Sequence, residues 1–195
     1  MTICVRKAIT SDAPGIAKVH VDTFRTTYHG IYPDEFLSNM SYDRALHIWE
    51  TTHLIPSSQN AVYVAEDEPR HIVGFAICGP DRDNDLLYKG EVIGLYVLQK
   101  MQRRGIGKQL MLAAVQDLKC RSFGSMLVWV LADNPSRRFY EKFGGEHVQT
   151  RDIIVGGKSF KKFGYAWKSL DLIPQNASQP TKFDSYKNLK EPTPT

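Results

Sequence analysis

Gln102-Arg103-Arg104-Gly105-Ile106-Gly107 joins an apolar, strand-like run, Val92 to Leu98, to a helix-like run that begins near Lys108. Glycines at a strand-to-helix turn let the backbone come close to a ligand, because no β-carbon intervenes. The first amides of a helix have no partner within the helix and the helix dipole is positive there, so such a turn suits an anion, above all phosphate. Arg103, Arg104 and Lys108 add positive charge around the same turn. The stretch therefore predicts a pyrophosphate-binding site.

The spacing of the glycines narrows the kind of turn. No Lys-Ser/Thr pair follows them, as it would in the loop of a P-loop NTPase. Leu110 stands where the third glycine of a dinucleotide-binding G-x-G-x-x-G would stand. The turn instead resembles the Q/R-x-x-G-x-G/A signature of the GCN5-related N-acetyltransferase (GNAT) family. An ordinary loop with solvated arginines is the alternative.

A second stretch, from Asn134 to Gly144, strengthens the resemblance. It is similar to the N-x-x-x-x-x-Y-x-x-x-G-F segment of the family, with Gly145 where Phe is common. The resemblance implies that Asn134 contacts the pantetheine arm of coenzyme A and that the Tyr140 hydroxyl lies near the thioester sulfur. A phenol in that place can supply the proton that a departing thiolate needs. The alternative is that the aromatic residues of this segment are core side chains on one helix face.

Hydrophobic periodicity predicts the order strand, two or three helices, three strands, helix, strand, helix, two strands. The expected limits are Gly105 to about Arg121 for the long helix, Met126 to Leu131 for the next strand, and Glu146 to Val155 and Lys158 to Leu170 for a final hairpin. We expect an α/β (α+β) chain with a mixed sheet. The resemblance implies the GNAT fold, a central, splayed and mostly antiparallel sheet flanked by helices, in which the strands before and after the long helix part.

The composition is typical of a globular protein without a nucleic-acid or membrane partner. The 195 residues are 42% hydrophobic and 24% charged, and the net charge of +4 includes no long block of like charges. No apolar run is long enough to span a membrane, and the N-terminus lacks the order of a signal peptide, so we expect a cytoplasmic protein. The cysteines and histidines are scattered without disulfide or metal-ligand spacing, so we expect no metal.

The character of the chain changes from Pro174 onward, where proline and small polar residues dominate. We expect residues 1–173 to form the N-acetyltransferase domain and residues 174–195 to form a disordered polar tail, because few large apolar side chains remain to offset the ordering entropy. A docking segment is the alternative for the tail.

The resemblance implies a binding surface for acetyl-CoA along the strand and turn quoted above. Main-chain groups at the end of the strand would pair with the pantetheine amides, and the turn would hold the pyrophosphate. The residues concerned are Leu95, Tyr96 and Val97 on the strand, Gln102, Arg103, Arg104, Gly105, Ile106, Gly107 and Lys108 in the turn, and Asn134 and Tyr140 beyond it.

Glu91 aligns, by its distance from Gln102, with the glutamate that serves some relatives as general base. A carboxylate acting through water can take the proton that an ammonium must lose before it attacks. The alternative for Glu91 is an exposed residue at the start of a strand.

The acceptor side is expected in the first helices, which cover the substrate groove in the family. Phe24, Tyr28 and Tyr32 would line it, with Asp34 and Glu35 nearby. Aromatic rings with carboxylates suit a cationic amine, through cation–π contact and ion pairing. Simple packing of the rings is the alternative.

We therefore expect an enzyme that transfers the acetyl group of acetyl-CoA to a primary amine of a small molecule, by direct attack in a ternary complex. Tyr140 and Glu91 are the expected catalytic residues, and the protein would be a monomer or homodimer. Two alternatives stay open: acetylation of a peptide amine, either a protein lysine or an N-terminal amine, and a non-catalytic acyl-CoA sensor.

Overall fold

The computed structural model describes residues 2–68, 70–83, 85 and 87–173, which form a seven-stranded sheet flanked by helices. The strands are β1 (Cys4–Lys7), β2 (Ala61–Glu66), β3 (Ile72–Pro80), β4 (Gly90–Val97), β5 (Met126–Leu131), β6 (Glu146–Val155) and β7 (Lys158–Trp167). The α-helices are α1 (Ala13–Tyr28), α2 (Asp34–Ser38), α3 (Tyr42–Ile48), α4 (Ile106–Cys120) and α5 (Arg137–Lys142). No helix among these residues has the length and apolar character that crossing a membrane requires.

The order of the elements is the predicted one, and β5 and β6 begin and end at the predicted residues. β7 is shorter than predicted, because it ends at Trp167 and not at Leu170. Leu170 begins a 3-10 turn in which its side chain is 1% exposed and its amide donates to the carbonyl of Gly124 at 2.9 Å. The predicted tail, residues 174–195, lies outside the described residues, and the limits of the domain stay a prediction.

The sheet has the order β1-β2-β3-β4-β5-β7-β6, and its neighbours are antiparallel except for β4 and β5. β4 and β5 run parallel and, in the described part of the chain, pair at two positions, Gly90 with Met126 and Glu91 with Leu127. Beyond these pairs the two strands part. The predicted mixed, splayed and mostly antiparallel sheet is confirmed.

Different helices cover the two faces of the sheet. α4 buries the side chains that helical spacing places on one of its sides, which are Ile106, Leu110, Met111, Ala114 and Leu118. α1 and α3 cover the other face, where Ile16 and Ala45 pack in one cluster with Phe75 of β3. Burying one such large apolar side chain stabilises a fold by about 1.5–3 kcal/mol. This packing on both faces of the sheet holds β4 in place beside the opening that forms where β4 and β5 part.

Candidate active site

A cavity of about 80 Å³ lies where β4 and β5 part. Its walls come from α1, β4, β5, the turn before α4 and the segment around α5. The predicted site residues that line it are Tyr28, Leu95, Tyr96, Val97, Gln102, Asn134 and Tyr140. Phe24, Tyr32, Glu91 and residues 103–108 do not belong to this lining. The structure therefore brings together the strand, the start of the turn and both residues of the second signature.

A bulge in β4 shapes the cavity. Cys78 pairs with Val92 and Ile77 pairs with Gly94, so Ile93 is an extra residue opposite β3. A bulged residue is left out of the ladder and bends its strand, and Ile93 lines the cavity. Glycine inside a strand is a signal for such a bulge, and Gly94 carries this signal in the sequence.

The glycine turn takes up left-handed backbone conformations before α4. Arg103 has φ +62°, and Gly105, the N-cap of α4, has φ +80°. The side chain of Gln102 donates a hydrogen bond of 3.0 Å to the carbonyl of Val97, which ties the turn to the end of β4. Ile106 is 1% exposed, so it can offer a ligand only its main chain. The exposed residues of the turn are Gln102, Arg103, Arg104, Gly105 and Lys108.

The polar side chains that line the cavity include those of Tyr28, Tyr96, Asn134 and Tyr140. The Tyr28 hydroxyl lies close to the side chains of Asn134 and Tyr96, which partly offset the rise that burial causes in the pKa of Tyr28. The Asn134 Oδ1 also accepts a hydrogen bond of 2.8 Å from the amide of Ser136, which fixes its orientation ahead of α5. Burial, and then the neighbouring Tyr28, raise the pKa of Tyr140. Tyr140 is therefore a protonated phenol at neutral pH, the form that can donate a proton.

The presence of glycine at position 145, where the family pattern commonly has phenylalanine, has a steric explanation in this chain. A β-carbon at Gly145 would lie 2.8 Å from the six-membered ring of Trp167 and 3.0 Å from the carbonyl of Tyr140. The Trp167 indole donates a hydrogen bond of 3.1 Å to the carbonyl of Phe143, so its place is fixed. The indole thus occupies the space beside residue 145, and glycine is the residue that fits there.

The three predicted acceptor-side aromatics pack on one another. Tyr28 and Tyr32 stack with their ring centroids 4.7 Å apart, and Phe24 lies 4.4 Å from Tyr28. Tyr32 also meets Phe160 of β7 edge-on at 5.0 Å. Of these three residues, Tyr28 lines the cavity, whereas Phe24 and Tyr32 pack against the ring of Tyr28 and lie outside the lining. Their role in binding an acceptor stays a prediction.

Glu91 is buried, with 1% of its surface exposed, so the alternative of an exposed glutamate is wrong. Its carboxylate is held by Arg82, whose Nη2 lies 2.5 Å from Oε1 and whose Nε and main-chain amide lie 2.9 and 3.2 Å from Oε2. The sequence alone did not single out Arg82. Any proton transfer to Glu91 must compete with this guanidinium, and its catalytic role stays a prediction.

His20 and Trp129, which the sequence motifs do not single out, border the same region. Trp129 lines the cavity, and the ring of His20 lies 5.4 Å from that of Tyr96. Burial, and then His53, lower the pKa of His20 to about 4, so its imidazole is neutral at pH 7. His20, Phe24 and Tyr28 recur every four residues on α1, a spacing that could have found it.

Metal ligands are not grouped in this region or elsewhere in the described ranges: no three His, Cys, Asp or Glu side chains come together there as a metal site would need.

Residues 21–145 match the sequence model of the Acetyltransferase (GNAT) family. The chain belongs to this family. The GNAT chain is 36% identical over 171 residues to the uncharacterized N-acetyltransferase YuaI of Bacillus subtilis (strain 168), which covers 88% of this chain and 96% of that protein. Family membership and this relative identify the chain as an N-acetyltransferase.

Solved GNAT structures share the fold. An N-acetyltransferase from Staphylococcus aureus Mu50 superimposes with a TM-score of 0.68 at 19% identity, over 87% of this chain and 99% of that one. The yncA protein of Salmonella typhimurium, solved with its cofactor acetyl-CoA, gives a TM-score of 0.66 at 18% identity, over 93% and 99% of the two chains. At these identities the likeness concerns the architecture of sheet and helices.

Proposed function

We propose that this GNAT N-acetyltransferase transfers the acetyl group of acetyl-CoA to the primary amine of a small molecule, by direct attack in a ternary complex. The observation that carries the proposal is a single cavity whose lining combines the end of β4, Tyr140 of α5 and Tyr28 of α1. A thioester that enters along β4 and an amine that enters beside α1 would meet in this cavity.

The exposed turn and the parted strands fit coenzyme A. Gly105, in its left-handed conformation, begins a helix of 15 residues whose first amides can hold a pyrophosphate. Arg103, Arg104 and Lys108 surround these amides and would strengthen the hydrogen bonds through their charge. Leu95–Val97 have no β5 partner in the described register, so their main chain can pair with pantetheine amides as an added strand would.

Bound acetyl-CoA supplies an activated acyl group with a thiolate as leaving group. We assign to the Tyr140 hydroxyl the proton that this thiolate receives, because Tyr140 lines the cavity as a protonated phenol. The bulge takes the main chain of Ile93 out of the ladder, where its amide can donate to the oxygen on which charge develops. Glu91 is retained as the proposed acceptor of the amine proton, acting through water.

A closed acceptor side supports a small amine over a peptide. The β6–β7 turn lies against the loop before α2, since a β-carbon at Gly156 would be 3.0 Å from the ring of Pro33. Phe160, close to this turn, contacts Tyr32. The hairpin therefore covers the space beside α1 in which an extended peptide would have to lie.

A thiol-release assay with acetyl-CoA tests the proposal. The panel pairs small primary amines with lysine-containing peptides and peptides with free N-termini, and mass spectrometry identifies the acetylated product. We expect turnover with small amines and none with peptides at the same concentration. Turnover with peptides alone would indicate that the acceptor is a protein amine. Calorimetric binding of coenzyme A, with no thiol release in the presence of any amine, would favour an acyl-CoA sensor.

A further inference from the structure

We propose that the acceptor amine also carries a carboxylate, as an amino acid does, and that the ammonium of Lys162 binds this carboxylate. The inference rests on the proposed function, because it names the chemical class of the acceptor for the same site. Three observations carry it: the face on which Lys162 lies, the charged groups around it and an unsatisfied donor on the same face.

Lys162 lies on the face of the sheet that carries the acceptor side. In the β5–β7 pair it stands opposite Leu131, and residues directly opposite in an antiparallel pair project from the same face. Leu131 packs in one cluster with Tyr28 and Tyr32. Trp129, two residues before Leu131 and therefore on the same face, lines the cavity. Lys162 thus lies on the same face of the sheet as Leu131 and Trp129, outside the set of residues that line the cavity.

Glu91 and Asp83 attract the ammonium of Lys162 electrostatically, but each of these carboxylates forms its ion pair with a guanidinium. Arg82 pairs with Glu91 at 2.5 Å, and Arg151 pairs with Asp83. Lys162 is partly buried, yet its ammonium makes no hydrogen bond and no salt bridge to a described residue. Burial, and then the charge of Arg82, lower the pKa of Lys162. Because the ammonium of Lys162 has no hydrogen-bond acceptor among the described residues, the carboxylate of a ligand can supply one.

An unsatisfied hydrogen-bond donor lies on the same face. The indole Nε1 of Trp129 is buried and has no partner among the described residues. The guanidinium of Arg151 lies 4.2 Å from the centroid of this indole, which helps to hold the ring in place. An indole N–H can only donate, so it requires an oxygen or another acceptor from the ligand. A carboxylate offers two acceptor oxygens beside a primary amine in one small molecule.

The positive charge of Lys162 favours acceptors that carry a negative charge. An acid gains a charge-assisted hydrogen bond with Lys162 that its neutral amide lacks, and such a bond changes affinity by about 10- to 100-fold. A second ammonium on the acceptor would be repelled by Lys162. Polyamines and simple alkylamines should therefore be poor acceptors.

The test compares each standard L-amino acid with its primary amide. Thiol release from acetyl-CoA gives kcat/KM, and calorimetric titration into enzyme saturated with coenzyme A gives affinity without turnover. We expect the best acid to exceed its amide by about 10- to 100-fold in both measurements. Lys162→Gln should remove most of this advantage and leave the amide unchanged, while Lys162→Arg should keep it.

Lys161→Gln is the matched control. Lys161 is the preceding residue on β7, projects from the opposite face and pairs with Asp152 at 3.2 Å. We expect this variant to keep the preference for acids. Circular dichroism and coenzyme A binding show that each variant is folded.

Four results would overturn the inference: equal values for acids and amides, a preference that Lys162→Gln leaves intact, a panel in which no acid binds or reacts, or acetylation of uncharged or cationic amines alone. The last of these would leave the proposed function standing. If no amine of any kind released thiol, the proposed function would fail, and the titration with coenzyme A would still decide whether Lys162 binds a carboxylate.

Discussion

The side-chain amide of Gln102 donates a hydrogen bond of 3.0 Å to the main-chain carbonyl of Val97. Val97 is the last residue of β4, and Gln102 begins the turn that leads into α4. One hydrogen bond therefore joins the strand end that we assign to the pantetheine arm to the turn that we assign to the pyrophosphate. Both halves of the proposed cofactor site depend on its geometry.

Gln102→Ala should weaken the binding of coenzyme A by about 2- to 10-fold, because a hydrogen bond contributes about 0.5–1.5 kcal/mol net and the turn loses its tie to β4. Isothermal titration calorimetry measures the effect. Gln99→Ala changes an exposed residue of the same connection and should leave the affinity unchanged. Equal affinities for Gln102→Ala and the native enzyme would show that this bond does not organise the site.

Gly105→Ala should lower the free energy of unfolding by about 1–2 kcal/mol, since a left-handed conformation costs other L-residues this much. The cause would be the backbone alone, because nothing lies within 4 Å of a β-carbon at Gly105. Urea unfolding measures the change, and Gly105→Asn should lose less, since asparagine tolerates positive φ. Gly124→Ala, also with open space at its β-carbon, serves as control.

Tyr140→Phe should lower kcat by about 100-fold or more and leave the affinity for coenzyme A unchanged, because it removes only the proton donor. Steady-state kinetics and calorimetry give the two values. Tyr88→Phe changes a buried tyrosine outside the cavity lining and should retain most of the activity. A Tyr140→Phe enzyme with the native kcat would show that Tyr140 is not the proton donor to the departing thiolate.

Gly145→Ala should destabilise the fold by about 1–3 kcal/mol, as overpacking does, because the new β-carbon would lie 2.8 Å from Trp167. Trp167→Phe removes the ring atoms that cause the clash, so Gly145→Ala should cost less in that background. A double-mutant cycle on urea unfolding measures the coupling. Strictly additive costs would contradict this explanation of the departure from the family pattern.

His20 should make the fold sensitive to acid. Burial lowers its pKa from 6.5 to about 4, so between these values the unfolded chain binds a proton that the folded protein does not. The contribution to stability is complete above pH 6.5 and is lost as the pH falls towards 4, about 2 kcal/mol of it between pH 7 and 5. His20→Phe should reduce this loss in urea unfolding at the two pH values.

His29→Gln provides the control for the acid effect, because His29 is exposed. It should leave the difference in unfolding free energy between pH 7 and pH 5 as it is in the native protein. A His20→Phe variant with the native pH dependence would place the acid sensitivity in other groups.

Local patterns explain what could be predicted from the sequence. Met126–Leu131 is an uninterrupted apolar run, and the apolar side of α4 repeats at helical spacing, so both elements were found with nearly correct limits. The second signature also placed Asn134 and Tyr140, which the structure brings to one cavity. Each of these features depends on residues close together in the chain.

Pairings between distant segments explain what could not be predicted. Arg82 comes from the loop after β3, and nothing in the spacing of Glu91 shows that a guanidinium would enclose it. Lys162 and Trp129 share a face because of the β5–β7 register, which joins residues more than thirty positions apart. Such neighbours follow from tertiary packing and not from periodicity.

The way in which β4 and β5 are joined determines where the sheet can flex. Two residue pairs connect β1–β4 with β5–β7 in the described register, at Gly90 with Met126 and Glu91 with Leu127. A change in the width of the opening would therefore turn about Gly90, at the end of β4 remote from Gln102. A β-carbon at Gly90 would press on the Ser125 carbonyl at 3.0 Å and on Leu118 at 3.2 Å. A larger residue at this position would alter the aperture without touching a bound molecule.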